Sequence, residues 1–247
     1  MSALRYVYAI CRPFSAALSA ELTGVAGVPP VLLRHRDLIA VVGSVPERDF
    51  AAEPLRRRLE DVRWLEATAR AHQGVIDALT VVTSPLPLRL ATVLRDSSGV
   101  RVMMDDHRED FLRTLDRLDG RVEWDVRVYA GSVPEHADEF TRRLHDTLSG
   151  YAEASRLVAP REPAPSRGAS SGASFGEEGH TVLDAAYLVP RAASGEFVER
   201  VNGSVGEEPG LRVELTGPWA AYSFTGAAAF TGFTSLTGFA GLMSCTG

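Results

Sequence analysis

Hydrophobic positions along the chain recur in two rhythms, and their succession predicts the elements. Leu4, Tyr6, Tyr8 and Ile10 alternate with their neighbours and predict an opening strand with those four side chains on one face. The apolar runs Val31–Leu33 and Leu38–Val42 flank the charged turn Arg34–Asp37 and predict a hairpin, introduced by Pro29-Pro30 and ended by Gly43-Ser44. From Pro54 to about Val82 the rhythm changes to threes and fours. Leu55, Leu59, Val62, Leu65, Ala69, Ile76 and Leu79 share one stripe with His72 in its seam, which predicts a single long amphipathic helix with Pro54 in its first turn. Gly74 weakens that helix by roughly 1 kcal/mol relative to Ala.

Ser84–Leu94 predicts a strand that Pro85 and Pro87 either keep to a sheet edge or leave without hydrogen bonds over its first residues. A helix is expected from about Ser98 to Asp119, with Val100, Met104, His107, Phe111, Leu115 and Leu118 on its stripe and Gly120 as its stop. Arg121–Tyr129 sets Val122, Trp124, Val126 and Val128 against Glu123, Asp125 and Arg127, the pattern of a half-buried strand. Ser132–Glu135 has capping-box spacing and opens a helix carrying Ala137, Phe140, Leu144 and Leu148. The five letters Gly-Ser-Val-Pro-Glu occur at both 43–47 and 131–135, which reads as shared turn chemistry and not as a duplication. Residues 159–180 are dominated by Pro, Gly, Ser and Ala without an apolar period and predict a flexible loop. A strand through Leu183, Ala185, Tyr187 and Val189, a short helix at Ser194–Val201 and a strand with Leu211, Val213 and Leu215 complete the pattern.

From Leu86 onward the order is therefore β-α-β, a helix and loop, then β-α-β. The expected fold class is α+β with two domains: residues 1–82 as a smaller unit with the long helix, and 83–224 as a modified ferredoxin-like sandwich containing the 159–180 loop. Residues 225–247 form a low-complexity apolar tail. No charged side chain occurs from Trp219 to Gly247, and Phe224, Phe230, Phe233, Leu236 and Phe239 are spaced by Thr, Gly, Ser and Ala. The tail reads as disordered or, alternatively, as a segment that adheres to an apolar protein surface.

Composition narrows the function classes. At 45% hydrophobic and 23% charged residues, the chain has the make-up of a soluble globular protein. Arg supplies every cationic side chain, and the net charge of −6 leaves no basic excess for a phosphate backbone, so no nucleic-acid partner is expected. Cys11 and Cys245 lie too far apart in sequence for a disulfide framework or a metal cage, which favours a reducing, cytoplasmic setting. The apolar strip Tyr6–Cys11 is too short for a signal-peptide core, and no membrane span is expected.

Catalytic constellations are not legible. Neither GxGxxG nor GxxxxGK[ST] occurs, and the two GxSxG matches, at 168–172 and 172–176, fall inside the predicted flexible loop. His136 and His145 are nine residues apart and point to opposite sides of a helix. Adjacent helical residues diverge by ~100°, so Asp105, Asp106 and His107 do not converge on a metal. His72 and His107 interrupt apolar stripes and are expected as partly buried histidines bonded to backbone, ahead of a catalytic base. Arg89, between Leu88 and Leu90, is expected to pair with a carboxylate or to face a partner. Trp64, Trp124 and Trp219 are expected as core or inter-domain anchors, with interface use as the alternative. No nucleophile, base and oxyanion site assembles, so the chain is not expected to be an enzyme, and no cofactor or metal is expected.

Three stretches carry a family resemblance. Leu59–Glu66, continuing through Ala69–His72, resembles the central helix of the gas vesicle protein GvpF/GvpL family. Pro85–Arg95 and then Arg121–Trp124 are similar to the family's next signatures, in order, and Leu215–Phe224 resembles its terminal motif. With the opening strand, the likeness spans residues 4–224, and the tail after Phe224 lies beyond it. Leu90-Ala91 and Leu94 depart from the pattern, standing where the family more often has aromatic and Gly residues. The resemblance implies an accessory protein of gas vesicle assembly, chaperone-like or nucleating, with two α+β domains. It implies the shell protein GvpA and possibly other accessory proteins as partners, with the gas vesicle and the cytoplasm as location. Under that reading Trp64, His72, Arg89, Trp124 and Trp219 are the candidate partner-binding residues. A catalytic or small-molecule-binding α+β protein using His72, His107 or Arg89 is one alternative, and a minor structural component of the finished vesicle is another.

Overall fold

In the computed structural model, which describes residues 3–19, 21–131, 136–158 and 180–226, strand β1 (Ala3–Cys11) pairs antiparallel with β3 (Leu38–Pro46). The expected hairpin is present: β2 (Val31–His35) pairs with β3 from Val31↔Val42 to His35↔Leu38. On the other side of β1 lie two short strands, β4 (Leu86–Pro87) and β5 (Val93–Leu94). The sheet order is β2-β3-β1-β4, with β5 also against β1.

The central run of β1, Tyr6–Cys11, is fully buried, as a strand covered on both faces must be. Its alternation is not the simple one expected. A bulge shifts the register between Val7 and Ala9, so Tyr6, Tyr8, Ala9 and Cys11 all enter one core with Ile39, Val41 and Val45. Ile10 is thereby removed from the face assigned to it.

A short helix, α1 (Glu47–Phe50), precedes the stretch from Pro54 to about Val82, which forms two helices, α2 (Ala52–Arg58) and α3 (Val62–Val82), in place of the one expected. The break has a local cause. The Asp61 carboxylate accepts hydrogen bonds from the N–H groups of Arg63 and Trp64 and caps α3. Val62, placed on the apolar stripe, is in consequence a first-turn residue that is 54% exposed. The remaining α3 stripe holds, with Leu65, Ala69, His72, Ile76 and Leu79 buried, and Val75, which the stripe did not include, is buried beside them.

The second expected helix is also two, α4 (Ser97–Asp106) and α5 (Arg108–Leu118), hinged at His107. A histidine hydrogen bond and two arginine ion pairs hold the β2–β3 turn against this hinge from both sides. Asp105 meets His35 at 2.9 Å and Arg36 at 3.1 Å, while Arg108 grips Asp37 through two nitrogens at 3.0 and 2.5 Å. The Arg108 bonds lower the Asp37 carboxyl below its ordinary range. By strand parity, α3 packs on one face of the sheet and α4 on the other, where Arg5 Nε reaches Ser97 Oγ at 3.2 Å.

The contacts divide the chain after Asp119 and not after residue 82. Residues 3–119 and 220–226 form one unit and 120–219 the other. β4 and β5, expected to open the second domain, complete the sheet of the first because β1 would otherwise bury an unpaired edge.

The second unit is built on β6 (Arg121–Ala130), flanked by β8 (His180–Pro190) and β9 (Leu211–Trp219). β7 (Ala154–Leu157), which the hydrophobic pattern did not predict, pairs with β8, and the order is β7-β8-β6-β9 with every pair antiparallel. Helices α6 (Ala137–Ser149) and α7 (Ser194–Gly203) pack Phe140, Leu144, Leu148, Phe197 and Val201 against Val122, Trp124, Val126 and Val128. The 132–135 capping box, the two GxSxG matches and residues 227–247 lie outside the described residues, as does all of the 159–180 loop except His180, which pairs with Ala130 in β8.

Candidate functional site

A polar arrangement within the first core is centred on His72, which α3 points into the first sheet and which is 1% exposed. Tyr6 on β1 places its hydroxyl 3.0 Å from His72 Nδ1, and the Tyr222 hydroxyl stands 3.1 Å from Nε2. The Ala91 N–H donates to the Tyr6 hydroxyl at 3.0 Å. Burial drives the imidazole down to about 3, so it is neutral and has one donor and one acceptor. One assignment leaves no buried hydrogen stranded: Ala91 N–H to Tyr6, Tyr6 O–H to Nδ1, and Nε2–H to Tyr222. Each link contributes about 1 kcal/mol, and losing one partner costs more because the other is left unpaired.

Aromatic rings enclose this relay. Tyr8 and Tyr6 lie 5.6 and 5.7 Å from the imidazole centroid, and Phe50 bridges Tyr6 to Trp64 at 6.0 and 5.4 Å. Burial raises both tyrosine hydroxyls, that of Tyr8 to about 12, and likewise raises the Cys11 thiol to about 12. Tyr8 accepts the Val25 N–H at 2.8 Å. Its hydroxyl fits only because residue 24 is glycine, where an added Cβ would stand 2.3 Å from it. The cluster is an uncharged, hydrogen-bonded core. It holds α3, β1, the 88–92 loop and the 220–226 segment in register.

The residues singled out from sequence are not gathered at one place. Trp64 is half-buried against Phe50, and Arg89 is part-buried on the loop between β4 and β5, where its carbonyl accepts from Thr92 N and Oγ1. His107 forms the α4–α5 hinge, its ring 5.9 Å from Phe111, and lines a hollow with residues 105–110 that does not include His72. Trp124 is 9% exposed in the second unit, donates from Nε1 to Ser194 Oγ at 3.2 Å and stacks on Phe197. Trp219 ends β9 opposite Glu123. Tyr6, Ala91 and Tyr222 complete the relay and were not among the singled-out residues. Tyr222 lies within the terminal Leu215–Phe224 motif, the one signal that pointed to it.

On the face of the second sheet away from the helices, Glu123, Asp125 and Arg127 follow one another on β6, with Asp184 3.4 Å from Arg127. Burial and the neighbouring Asp184 raise the Asp125 carboxyl to about 6, against the pull of Arg127. Among the described residues, no group of three or more His, Cys, Asp or Glu is placed to hold a metal, and no helix is long and apolar enough to cross a membrane.

The family model for the gas vesicle synthesis protein GvpL/GvpF matches residues 4–137 and 130–226. The chain belongs to the GvpL/GvpF family. It is similar to gas vesicle protein L of Streptomyces sp. (strain CB03234), with 48% identity over 91% of this chain and 94% of that protein. Gas vesicle protein F of the same strain shares 29% identity over 62% of this chain and 59% of its own. The fold resembles the crystal structures of GvpF from Anabaena sp. PCC7120 (TM-score 0.70, 16% identity, 91% of this chain and 96% of that one) and Microcystis aeruginosa (0.68, 15%, 90% and 98%). Membership in the GvpL/GvpF family implies a role in gas vesicle formation.

Proposed function

We propose that the chain is a non-enzymatic accessory factor that binds the major shell protein GvpA, in the cytoplasm at the growing vesicle, and keeps its apolar surface covered until it joins the wall. The match to the GvpL/GvpF family across residues 4–226 carries the reading. A wall that excludes liquid water needs an apolar inner surface, so free wall subunits aggregate unless something covers them. Edge strands and exposed apolar side chains are suited to that task. Val31 on the edge strand β2 is 54% exposed, Leu157 on the edge strand β7 is 61% exposed, and Val81 near the end of α3 is 84% exposed. Of the residues singled out from sequence, Trp64, Arg89 and Trp219 keep some surface with which to face a partner. His72 and Trp124 serve from inside, by holding shape. The 120–219 unit is read as a ferredoxin-like sandwich, supported by its β-α-β-β-α-β connectivity and the order β7-β8-β6-β9.

The test is co-purification of GvpA with the full chain, with a truncation ending at Phe224, and with Val31→Lys and Leu157→Lys. Retention by the full chain that is weakened by either lysine supports the proposal. No association of the unaltered chain with GvpA overturns it. Recovery of the chain from stripped, finished vesicles makes it a structural component instead.

A further inference from the structure

The segment that follows β9 returns to the first unit without joining its sheet. Ala220, Ala221 and Phe224 are buried at 4, 3 and 7% exposure, and Tyr222 bonds His72. Backbone bonds inside the segment are short turns: Tyr222 N–H to the Ala220 carbonyl at 2.8 Å, Phe224 N–H to that of Ala221 at 3.2 Å, and Thr225 N–H to that of Tyr222 at 3.3 Å. Such a piece keeps its own turns when it lifts, and the pairing of β1 with β3 does not depend on it.

We propose that residues 220–226 are a strap that opens as a unit over the aromatic face of the first sheet, and that the protonation of His72 decides whether it closes. The geometry of the relay gives the reason. Closed, Nδ1 must accept from Tyr6 while Nε2–H donates to Tyr222. A second ring proton turns Nδ1 into a donor aimed at a hydroxyl that already accepts the Ala91 N–H, and it places a charge among rings. The groups facing the imidazole are Tyr6 and Tyr8 from β1 and Tyr222 from the strap. Ala91 of the 88–92 loop reaches it through Tyr6, and Arg89 is the charged residue of that loop. On α3 the charged neighbours Arg70 and Asp77 are exposed. Burial keeps the Tyr6 and Tyr8 hydroxyls neutral, so neither compensates an imidazolium.

Lifting the strap lets water reach Nε2 and returns the ring toward its ordinary value of about 6.5. The closed imidazole sits near 3. A lowered closed-state value means that closure is complete above about 6.5 and is lost progressively as pH falls from there toward 3. The opening constant then rises roughly 90-fold between pH 7.5 and 4.5, since only the open form takes the proton.

Hydrogen exchange of the full chain over that range, corrected for intrinsic rates, tests this inference independently of any partner. Amides 220–225 are expected to open more often than those of β1 and β3 at each pH, with the roughly 90-fold rise. His72→Gln keeps a donor and an acceptor and flattens the rise, whereas Tyr222→Phe raises opening roughly 5-fold at every pH and keeps the slope. The His72 ring protons, followed by NMR in the unaltered chain, give a readout that needs no variant. Exchange of the strap and β1 at one common rate overturns the proposal, as does a slope that survives in His72→Gln.

Discussion

β1 and β6 are each paired on both sides, yet they bury their side chains by opposite rules. The run Tyr6–Cys11 of β1 is buried on both faces, and its tyrosine hydroxyls are uncharged and satisfied by His72 and by the N–H groups of Ala91 and Val25. β6 sends Val122, Trp124, Val126 and Val128 toward helices and sets Glu123, Asp125, Arg127 and Tyr129 on the opposite face. There charged groups find their partners: Arg127 faces Asp184, and the Arg212 guanidinium lies 4.3 Å from the Tyr129 ring centroid. A sheet covered on both faces is held by shape and hydrogen bonds, so steric changes damage it. The second sheet responds to pH through a carboxylate on its charged face, whereas the first does so through the buried His72.

The largest effect expected is steric and falls on the second unit. Gly217 has φ +133°, and an added Cβ would stand 2.9 Å from both the Glu123 carbonyl and the Trp124 ring. Gly217→Ala should cost about 3 kcal/mol in denaturant unfolding, with exchange accelerated across 120–219 and little changed in β1. An equal loosening of both units would erase the contrast between β1 and β6. Gly24→Ala strikes the first unit through the Tyr8 hydroxyl and should cost about 2 kcal/mol. Adding Tyr8→Phe removes the clashing oxygen, so the double variant should be less unstable than the two losses summed, although the Val25 N–H loses its acceptor.

Electrostatics give the next effect. The Asp125 carboxyl is raised to about 6 from an ordinary 3.8, so the folded state holds that proton more tightly than the unfolded chain does. Its stabilising share is present below about 4 and lost as pH rises through 6. Asp125→Asn should therefore gain roughly 2 kcal/mol at pH 7.5 and flatten the stability profile between pH 4 and 7, measured by thermal unfolding against pH. The same variant should leave β1 exchange unaltered. The smallest effect is local to the relay. Ala91 holds φ +62°, a conformation glycine adopts freely, and Ala91→Gly should gain about 0.5 kcal/mol while Ala91→Val loses about 1.

The strand β6 was legible because alternation states both its conformation and its buried face. β1 was legible as a strand but not in its facing, because a bulge is one extra residue that no alternation announces. The helix breaks at Asp61 and His107 were hidden for another reason. Apolar spacing continues across both, and the Asp61 cap and the Asp105 and Arg108 contacts that accompany the breaks are made by side chains the period does not register. His72 was visible as an intruder in an apolar stripe, but its partners Tyr6 and Tyr222 are 66 and 150 residues away. β7 was missed because Ala154–Leu157 is short, largely exposed and without alternation.

What the chain determined by itself was the kind of each main element, the mixed α and β content and the family, since these rest on local period and on motifs in order. Where one unit ends and the next begins was decided only in three dimensions. β4 and β5 belong to the first sheet because β1 has an edge to fill, and residues 220–226 belong there because His72 has a nitrogen to satisfy. Pairing and hydrogen-bond closure are demands of the folded interior, and no stretch of sequence states them alone.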